Sequence, residues 1–378
     1  MTGQQPTAAF AGLTWDHPRG RDALVAAARQ EPGLIHWSTQ PLEGFESTPL
    51  AQLVDDYDLI VLDHPHLGEA VADDCLLPLE QLFTEQQIQA WQADLVGPAL
   101  ASYKFQGKYW ALPLDVANQV MARRADLIPA PPQNFDELVR IAETGKVALS
   151  LGGPHALLTL LSFTGTVPGG DDFLDDATAL NSFAKLARLF EAIPKGSENL
   201  NPIALLETMA RSDEVALIPF IFGYVTYARP GDGRHAITFS NSIGDGKGGV
   251  LGGTGIGITK RAKPTPELLE HLAWLIAPEN QSRFLPAHGG QPASRTAWQD
   301  MNVNAAWGNF YTNTLVSAEN ALLRPRFDGY IDFQTKASAR LREALASREA
   351  ETTTLQALRT LWREARKNAR GNLDDERM

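Results

Sequence analysis

Hydrophobic and polar positions alternate along this chain in a way that predicts strands separated by helices. Residues 10–15 and 34–38 are strand-like runs, and residues 58–63 form a continuous apolar run of the type that is buried on both faces. Residues 22–29, between the first two runs, carry apolar positions at helical spacing. Because strands joined by helical crossovers form parallel sheets, the start of the chain predicts a β-α-β unit.

The same signals recur further along the chain. Residues 104–113 predict a hairpin, and residues 215–219 and 255–259 predict two more buried strands. Asn134, with Glu137 three residues later, predicts the capped start of a helix. One later helical stripe comprises Leu180, Phe183, Ala184, Ala187 and Phe190. The predicted fold class is α/β, with mostly parallel sheets flanked by helices.

Composition indicates the number of domains and excludes some classes of function. A chain of 378 residues with 44% hydrophobic content is long enough to bury two cores, so two lobes are expected. Acidic residues outnumber basic ones 45 to 33, and the formal net charge of -12 argues against a nucleic-acid partner. Cys75 is the one cysteine, which excludes an internal disulfide and a cysteine-based metal cage.

The first residues bear on the expected location of the protein. Residues 1–6 contain no basic segment, and no apolar run of signal-peptide length precedes Trp15. A cytoplasmic protein is therefore one expectation, and a chain trimmed of its leader is the other. The most apolar stretch, residues 215–225, is interrupted by Pro219 and Gly223 and is shorter than a membrane span.

Six motifs resemble the family 1 extracellular solute-binding proteins of ABC importers, the group that includes maltose- and other sugar-binding proteins. Each motif is weak alone, but the six occur in the family's order and cover nearly the whole chain. They are DLIVLD at 58–63 with CLLPLE at 75–80, KFQGKYWALPLD at 104–115, PQNFDEL at 132–138, GGTGIGI at 252–258, APENQ at 277–281 and GGQPA at 289–293.

The resemblance implies a two-lobed periplasmic-binding-protein fold of type II, with a ligand cleft at the hinge. It implies an N-terminal lobe of residues 1–115 plus 256–305 and a C-terminal lobe of residues 116–255 plus 306–378. It also implies permease subunits of an ABC transporter as partners, a periplasmic or extracellular location, and no cofactor or metal. We expect a monomer whose ligand is a carbohydrate or another small polar molecule.

Loops that leave the carboxyl ends of parallel strands are the expected binding sites in such a sheet. Trp15, Asp16, His17 and Arg19 form the first of these loops. The indole of Trp15 is suited to stacking on a sugar ring, Asp16 to accepting hydroxyl hydrogen bonds, and Arg19 to pairing with an anionic group. An Asp-capped turn with Trp15 buried in the core is the alternative, and both interpretations stay open.

The second loop contains Asp63, His64 and His66. Two histidines beside an aspartate suggest a metal site, but metal sites need three or four ligands in register. Since no further His or Cys stands at metal-binding spacing, contacts to the ligand or the hinge are favoured. A helix start capped by Asp63 is the alternative.

The remaining candidates come from the crossings between lobes and from the second lobe. Phe222 and Tyr224 follow the strand at 215–219, although core packing is the commoner fate of such aromatic residues. A glycine such as Gly253 permits close approach of backbone to a ligand. The full set comprises Asp115, Asn118, Phe222, Tyr224, Gly253 and Thr254, with His288, Gln291, Trp307 and Arg326 as weaker candidates.

Motifs of common enzyme classes do not occur in the chain: there is no Gly-X-Ser-X-Gly, no His-Glu-X-X-His and no Walker motif. The favoured hypothesis is therefore a ligand carrier for an importer and not an enzyme. An intracellular sensor on the same fold is the second hypothesis, and an enzyme on that scaffold is the third, because the fold alone does not fix function. The His and Arg residues of the two loops leave an anionic group on the ligand open.

Overall fold

The computed structural model describes residues 9–231, 233–243 and 248–369, and in it the chain divides into two units. Unit 1 comprises Met1–Val116 and Gly253–Val303, and unit 2 comprises Ala117–Gly252 and Asn304–Met378. The hinged lobes expected from the sequence had crossings after residues 115, 255 and 305. Residues 1–6, on which the expectation of location rests, lie outside the described residues.

The strands are short except for one, which passes from unit 1 into unit 2. In chain order they are β1 Phe10–Trp15, β2 Ile35–Gln40, β3 Leu59–Leu62, β4 Lys104–Phe105, β5 Lys108–Tyr109, β6 Leu112–Arg123, β7 Leu217–Phe222, β8 Thr238–Ser240 and β9 Leu251–Ile258.

The α-helices outnumber the strands in the described part of the chain. In order they are α1 Pro18–Ala28, α2 Leu42–Ser47, α3 Leu67–Ala72, α4 Glu85–Asp94, α5 Ala99–Ser102, α6 Phe135–Ala142, α7 His155–Thr164, α8 Asp176–Phe190, α9 Pro202–Arg211, α10 Pro266–Ile276, α11 Pro278–Ala287, α12 Arg295–Gln299, α13 Met301–Ala306, α14 Phe310–Glu319, α15 Tyr330–Ser347 and α16 Glu351–Asn368. No helix among residues 9–231, 233–243 and 248–369 has both the length and the apolar character needed to cross a membrane.

The sheet of unit 1 has the order β2-β1-β3-β9. β1 pairs parallel with both β2 and β3, as the predicted β-α-β opening requires, and β9 returns antiparallel to β3. β4 and β5 form the predicted hairpin, whose turn residues Gln106 and Gly107 both have positive φ, as a tight two-residue hairpin turn requires.

In unit 2, β6 pairs antiparallel with β7 and with β8. The parallel pairings described in this unit are single bridges, at Val147 with Leu217 and at Val250 with Leu322. Most of the apolar core of unit 2 comes from helices α7, α8, α15 and α16, and Trp362 of α16 lies between the rings of Phe327 and Phe333. Helical packing, more than the sheet, therefore holds unit 2 together.

The predicted stripe of α8 is only partly the buried face. Phe183 is buried as predicted, but Leu186 and Leu189 are fully buried as well, while Ala184 is half-buried. The reason is that α8 contacts three helices, α6, α7 and α16, so it buries a wider arc than one stripe. Asn134 caps α6 as predicted, with its side-chain oxygen accepting a hydrogen bond from the Glu137 amide at 3.0 Å.

Candidate functional site

Residues from three strands of unit 1 lie at one edge of its sheet. β1 and β3 are parallel, so Trp15 at the end of β1 and Asp63 just after β3 lie at the same edge. β9 runs the other way and pairs Gly255 with Leu62, which brings Thr254 beside Asp63. The candidates Trp15, Asp63 and Thr254, far apart in sequence, thus share one edge.

The close packing at this edge depends on two glycines. The indole of Trp15 lies directly against Gly20, where an added Cβ would stand 2.0 Å from the indole Nε1. The ring of Tyr103 lies against Gly255 in the same way, since a Cβ added there would stand 2.6 Å from the nearest ring carbon. The Tyr103 hydroxyl donates to the carbonyl of Leu62 at 3.1 Å. Only glycine allows these rings to lie so close to the backbone.

The first loop turns directly into α1. His17 caps this helix, with its Nδ1 accepting a hydrogen bond from the Arg19 amide at 3.1 Å, so the cap is His17 and not Asp16. Asp16 is exposed and pairs with Arg21. Trp15 is 2% exposed and stacks on the His17 ring at 5.2 Å between centroids. Its indole is therefore part of the core, which matches the alternative left open above.

Arg19 and Asp115 form a buried ion pair within unit 1. The guanidinium Nε donates to the carboxylate Oδ2 at 2.8 Å, and each side chain is 3% exposed. The guanidinium also lies 5.6 Å from the Trp15 ring. The charge of Arg19 is thus balanced inside the protein, before any ligand binds.

Two glutamines fix the backbone on either side of Asp115. Gln281 Nε2 donates to the Leu114 carbonyl at 3.2 Å, and Gln291 Nε2 donates to the Val116 carbonyl at 2.5 Å. Gln281 was not among the predicted site residues, although it ends the APENQ motif. The signal would have been the burial of the Gln281 side chain on α11. The sequence could not supply this signal, because burial depends on the fold.

The second loop is a short 3-10 turn, and its two histidines are both buried. Asp63 caps this turn through the His64 amide at 2.8 Å, as the alternative interpretation proposed. His66 Nδ1 donates to Glu69 Oε1 at 2.8 Å, which leaves Nε2 as an acceptor in the neutral ring. Within the described residues, no group of three or more His, Cys, Asp or Glu side chains is arranged to hold a metal ion.

Polar atoms without hydrogen-bond partners occur among these same residues. Asp115 Oδ1, His66 Nε2 and Thr254 Oγ1 are buried and make no hydrogen bond within the described part of the chain. Leaving such a group unsatisfied costs about 1–3 kcal/mol, so these atoms call for a polar partner, such as water or a ligand. We name Trp15, Arg19, Asp63, His66, Asp115 and Thr254 the edge cluster.

A separate group of candidates lies in unit 2. Phe222 is half-buried, contacts the His155 ring edge-on at 5.8 Å, and pairs across the strands with Gln119. Asn118 is buried and donates to the carbonyl of Gln119 at 3.3 Å. Tyr224 is buried, and its ring lies edge-on to that of Tyr227 at 6.5 Å between centroids. Asn118 and Phe222 therefore lie on neighbouring strands of unit 2, and a ligand contact by either residue stays a prediction.

Gln119 is a residue of unit 2 that sequence reasoning missed. Its Oε1 accepts from Ser162 Oγ at 2.6 Å, and Ser162 Oγ in turn accepts from the Val250 amide at 3.0 Å. Gln119 Nε2 is buried and makes no hydrogen bond to any described residue. An alternating strand pattern marks such a residue only as inward or outward, not as part of a polar network.

A sequence profile described as "Bacterial extracellular solute-binding protein" matches residues 47–311, well over half of the chain. The chain belongs to this family. No curated protein matches this solute-binding protein by sequence.

Solved structures show the fold of this solute-binding protein. An ABC-transporter solute-binding protein from Agrobacterium radiobacter, in complex with ribitol, is 18% identical and has a TM-score of 0.76, covering 96% of this chain and 100% of that one. One from Agrobacterium vitis with bound D-mannitol is 15% identical with a TM-score of 0.75, covering 96% and 99%. The maltose-bound MalE3 of T. maritima is 16% identical with a TM-score of 0.74, covering 95% and 99%.

These similarities confirm the predicted α/β, two-lobed periplasmic-binding-protein fold and the resemblance to sugar-binding proteins. The family and its structural neighbours are ligand-binding transport proteins. Of the weaker candidates, His288 donates to the Phe284 carbonyl, the Trp307 ring lies 4.8 Å from the Arg229 guanidinium, and Arg326 is buried. Neither the two contacts nor the burial of Arg326 identifies a ligand site.

Proposed function

We propose that this solute-binding protein binds a neutral polyol or carbohydrate at the edge cluster and delivers it to an ABC transporter. The buried Arg19–Asp115 pair, with Asp115 Oδ1 left without a partner, is the observation that carries the proposal. The proposed partners are permease subunits, and the proposed location is outside the cytoplasm, as the family's description supports. We propose a monomer that binds no nucleic acid and does not chemically convert its ligand.

The chemistry of the edge cluster supports a ligand rich in hydroxyl groups. Asp115 Oδ1 is an acceptor, and His66 Nε2 is an acceptor in the neutral ring, so both need a donor. Thr254 Oγ1 both donates and accepts. A hydroxyl group offers one donor and two acceptor sites, which suits all three atoms.

The charge balance of the cluster supports a neutral ligand over an anionic one. Arg19 is the cation of the first loop, and Asp115 already neutralises it at 2.8 Å. An anion entering beside Asp115 would bring two like charges together in a buried site, which is unfavourable. The ribitol, D-mannitol and maltose bound by the structural neighbours are neutral polyhydroxy compounds, in line with this argument.

Titration calorimetry with ribitol, D-mannitol and maltose tests the proposal. We expect saturable binding of at least one of the three, and about a tenfold or greater loss of affinity in Asp115→Asn, because a charged acceptor is replaced by a neutral amide. The matched control is Asp22→Asn, which removes a carboxylate paired with Arg21 at the surface. Its affinity should equal that of the wild type.

Three outcomes contradict the proposal. If none of the three compounds binds, the proposed ligand class is wrong. If the affinity of Asp115→Asn equals that of the wild type, the edge cluster is not the binding site. Appearance of a product after long incubation of protein with bound ligand, followed by mass spectrometry, shows catalysis instead of carriage.

A further inference from the structure

A polar pocket of about 350 Å³ lies in unit 2, and none of the predicted site residues lines it. It lies on one face of the antiparallel pair of β6 and β8, where Met121 pairs with Ser240 and Arg123 with Thr238. Because side chains two residues apart on a strand point to the same side, these four share a face. The remaining lining residues are Pro131, Pro132, Gln133, Phe239, Asn241, Ser242, Ile243 and Asn313.

The polar groups of this pocket comprise one cation together with amides and hydroxyl groups that can donate hydrogen bonds. Arg123, Gln133, Asn241 and Asn313 supply a guanidinium and three amides, and none of the described residues that line the pocket is acidic. Asn241 Oδ1 accepts from the Ser317 amide at 2.9 Å, which orients this amide and leaves Nδ2 as a donor. The described lining therefore carries one positive charge, that of Arg123, and no negative charge.

Arg123 is held in place but lacks a counter-charge among the described residues. Its Nη1 donates to the carbonyls of Ile128 at 2.7 Å and Pro129 at 3.0 Å, which fixes the guanidinium against the loop before α6. Its Nε is buried and makes no hydrogen bond to a described residue. Burial lowers the pKa of Arg123 from its ordinary value.

Ser240 adds a second unsatisfied group to the same pocket. Its hydroxyl oxygen is buried and makes no hydrogen bond within the described residues. A partly buried cation without a counter-ion and a hydroxyl without a partner each cost free energy that a bound anion would recover. Both groups belong to one face of one strand pair, so one small ligand can serve both.

We propose that this pocket binds a small oxyanion, a phosphate or a carboxylate, held by Arg123 with the amides of Asn241 and Asn313. A planar guanidinium with free N–H groups matches the oxygens of both groups. The volume admits an anion of this size together with water. The site is independent of the edge cluster, since no residue is common to the two.

Calorimetric titrations with inorganic phosphate and with malonate at low ionic strength test this proposal, and they distinguish the two kinds of oxyanion. We expect saturable binding of at least one anion by the wild-type protein. Arg123→Gln should bind it about tenfold or more weakly, because the charged donor is lost. Arg140→Gln is the matched control, since Arg140 is an exposed arginine on α6, and it should leave the affinity unchanged.

A second variant protects the test against loss of folding. Asn313→Asp adds a carboxylate to the pocket and leaves the contacts of Arg123 with its loop intact, so it should weaken anion binding to a similar degree while its thermal midpoint stays near that of the wild type. Asp115→Asn should bind the anion as tightly as the wild type, which separates this site from the edge cluster.

Absence of saturable binding of both anions by the wild type overturns the proposal. So does unchanged affinity in folded Arg123→Gln or in Asn313→Asp.

Discussion

Arg19 and Asp115 lie 96 residues apart in sequence, yet the Nε of one donates to the Oδ2 of the other at 2.8 Å in the interior of unit 1. Arg19 belongs to the first turn of α1, and Asp115 belongs to β6. The pair therefore ties the loop after the first strand to the strand that leads out of unit 1. A buried ion pair of this kind is costly to break by removing one partner only.

The two residues should behave as a coupled pair in a double-mutant cycle. Arg19→Met and Asp115→Leu each leave one buried charge without its partner, so each should lower the free energy of unfolding by about 3 kcal/mol or more. The double variant should lose less than the sum of the two. Urea titrations of all four proteins measure this coupling, and additive losses would show that the pair does not interact energetically.

Gly20→Ala should destabilise the protein, although alanine is normally favoured over glycine in a helix. The new Cβ would stand 2.0 Å from the Trp15 indole nitrogen, so the ring must move and the packing beneath it is disturbed. We expect a loss of about 1–3 kcal/mol in the free energy of unfolding, measured by urea titration. Gly169→Ala is the control, because an added Cβ would meet no atom within 4 Å there, and it should stay close to the wild type. Equal stability of the two variants would contradict the close contact at Trp15.

The Cys75 thiol should be nearly unreactive in the folded protein. Burial, together with nearby Asp73 and Glu69, raises the pKa of Cys75 to about 11, so at pH 8 only about one thiol in a thousand is ionised. Labelling with a chromogenic disulfide at pH 8 should therefore be about a hundredfold or more slower than in urea. Since Cys75 is the one cysteine of the chain, the signal has a single source. Rapid labelling without denaturant would contradict the burial of this residue.

Asp126 should make a contribution to stability that disappears in acid. Two hydrogen bonds from the buried guanidinium of Arg124, at 2.8 and 2.6 Å, lower the pKa of Asp126 from 3.8 to about 2. Because the folded-state pKa lies below the unfolded one, the contribution is present above about pH 4 and is lost as the pH falls towards 2.

The variant Asp126→Asn measures this contribution. The difference in free energy of unfolding between the wild type and Asp126→Asn should be largest near neutral pH and should shrink between pH 4 and about 2. Asp332→Asn is the control, since its ion pair with Lys336 is exposed at both ends and should matter little at any pH. A difference for Asp126→Asn that does not change with pH would exclude the carboxylate as its cause.

Local signals in the sequence predicted local structure well. The hairpin of β4 and β5 and the Asn134 cap of α6 depend on residues a few positions apart, and both are present. One of the two open interpretations placed the cap of α1 at Asp16, but Asp and His both accept amide hydrogen bonds and only the turn geometry selects His17. The arc of α8 that the sequence predicts to be buried is narrower than the arc that the structure buries. The reason is similar, since the three helices that α8 contacts come from distant parts of the chain.

The sequence by itself determined the alternation of strands and helices, the α/β class and the family, because apolar periodicity, caps and turn residues act over a few residues and six ordered motifs are specific together. It also named Arg19 and Asp115 as candidate site residues, which stays a prediction. Only the tertiary structure decided that these two neutralise each other, that Trp15 is buried against Gly20, and that Gln281 holds the backbone before Asp115. Ion pairing, burial and hydrogen bonding between distant segments depend on which residues the fold brings within a few ångströms, and no local pattern encodes that distance.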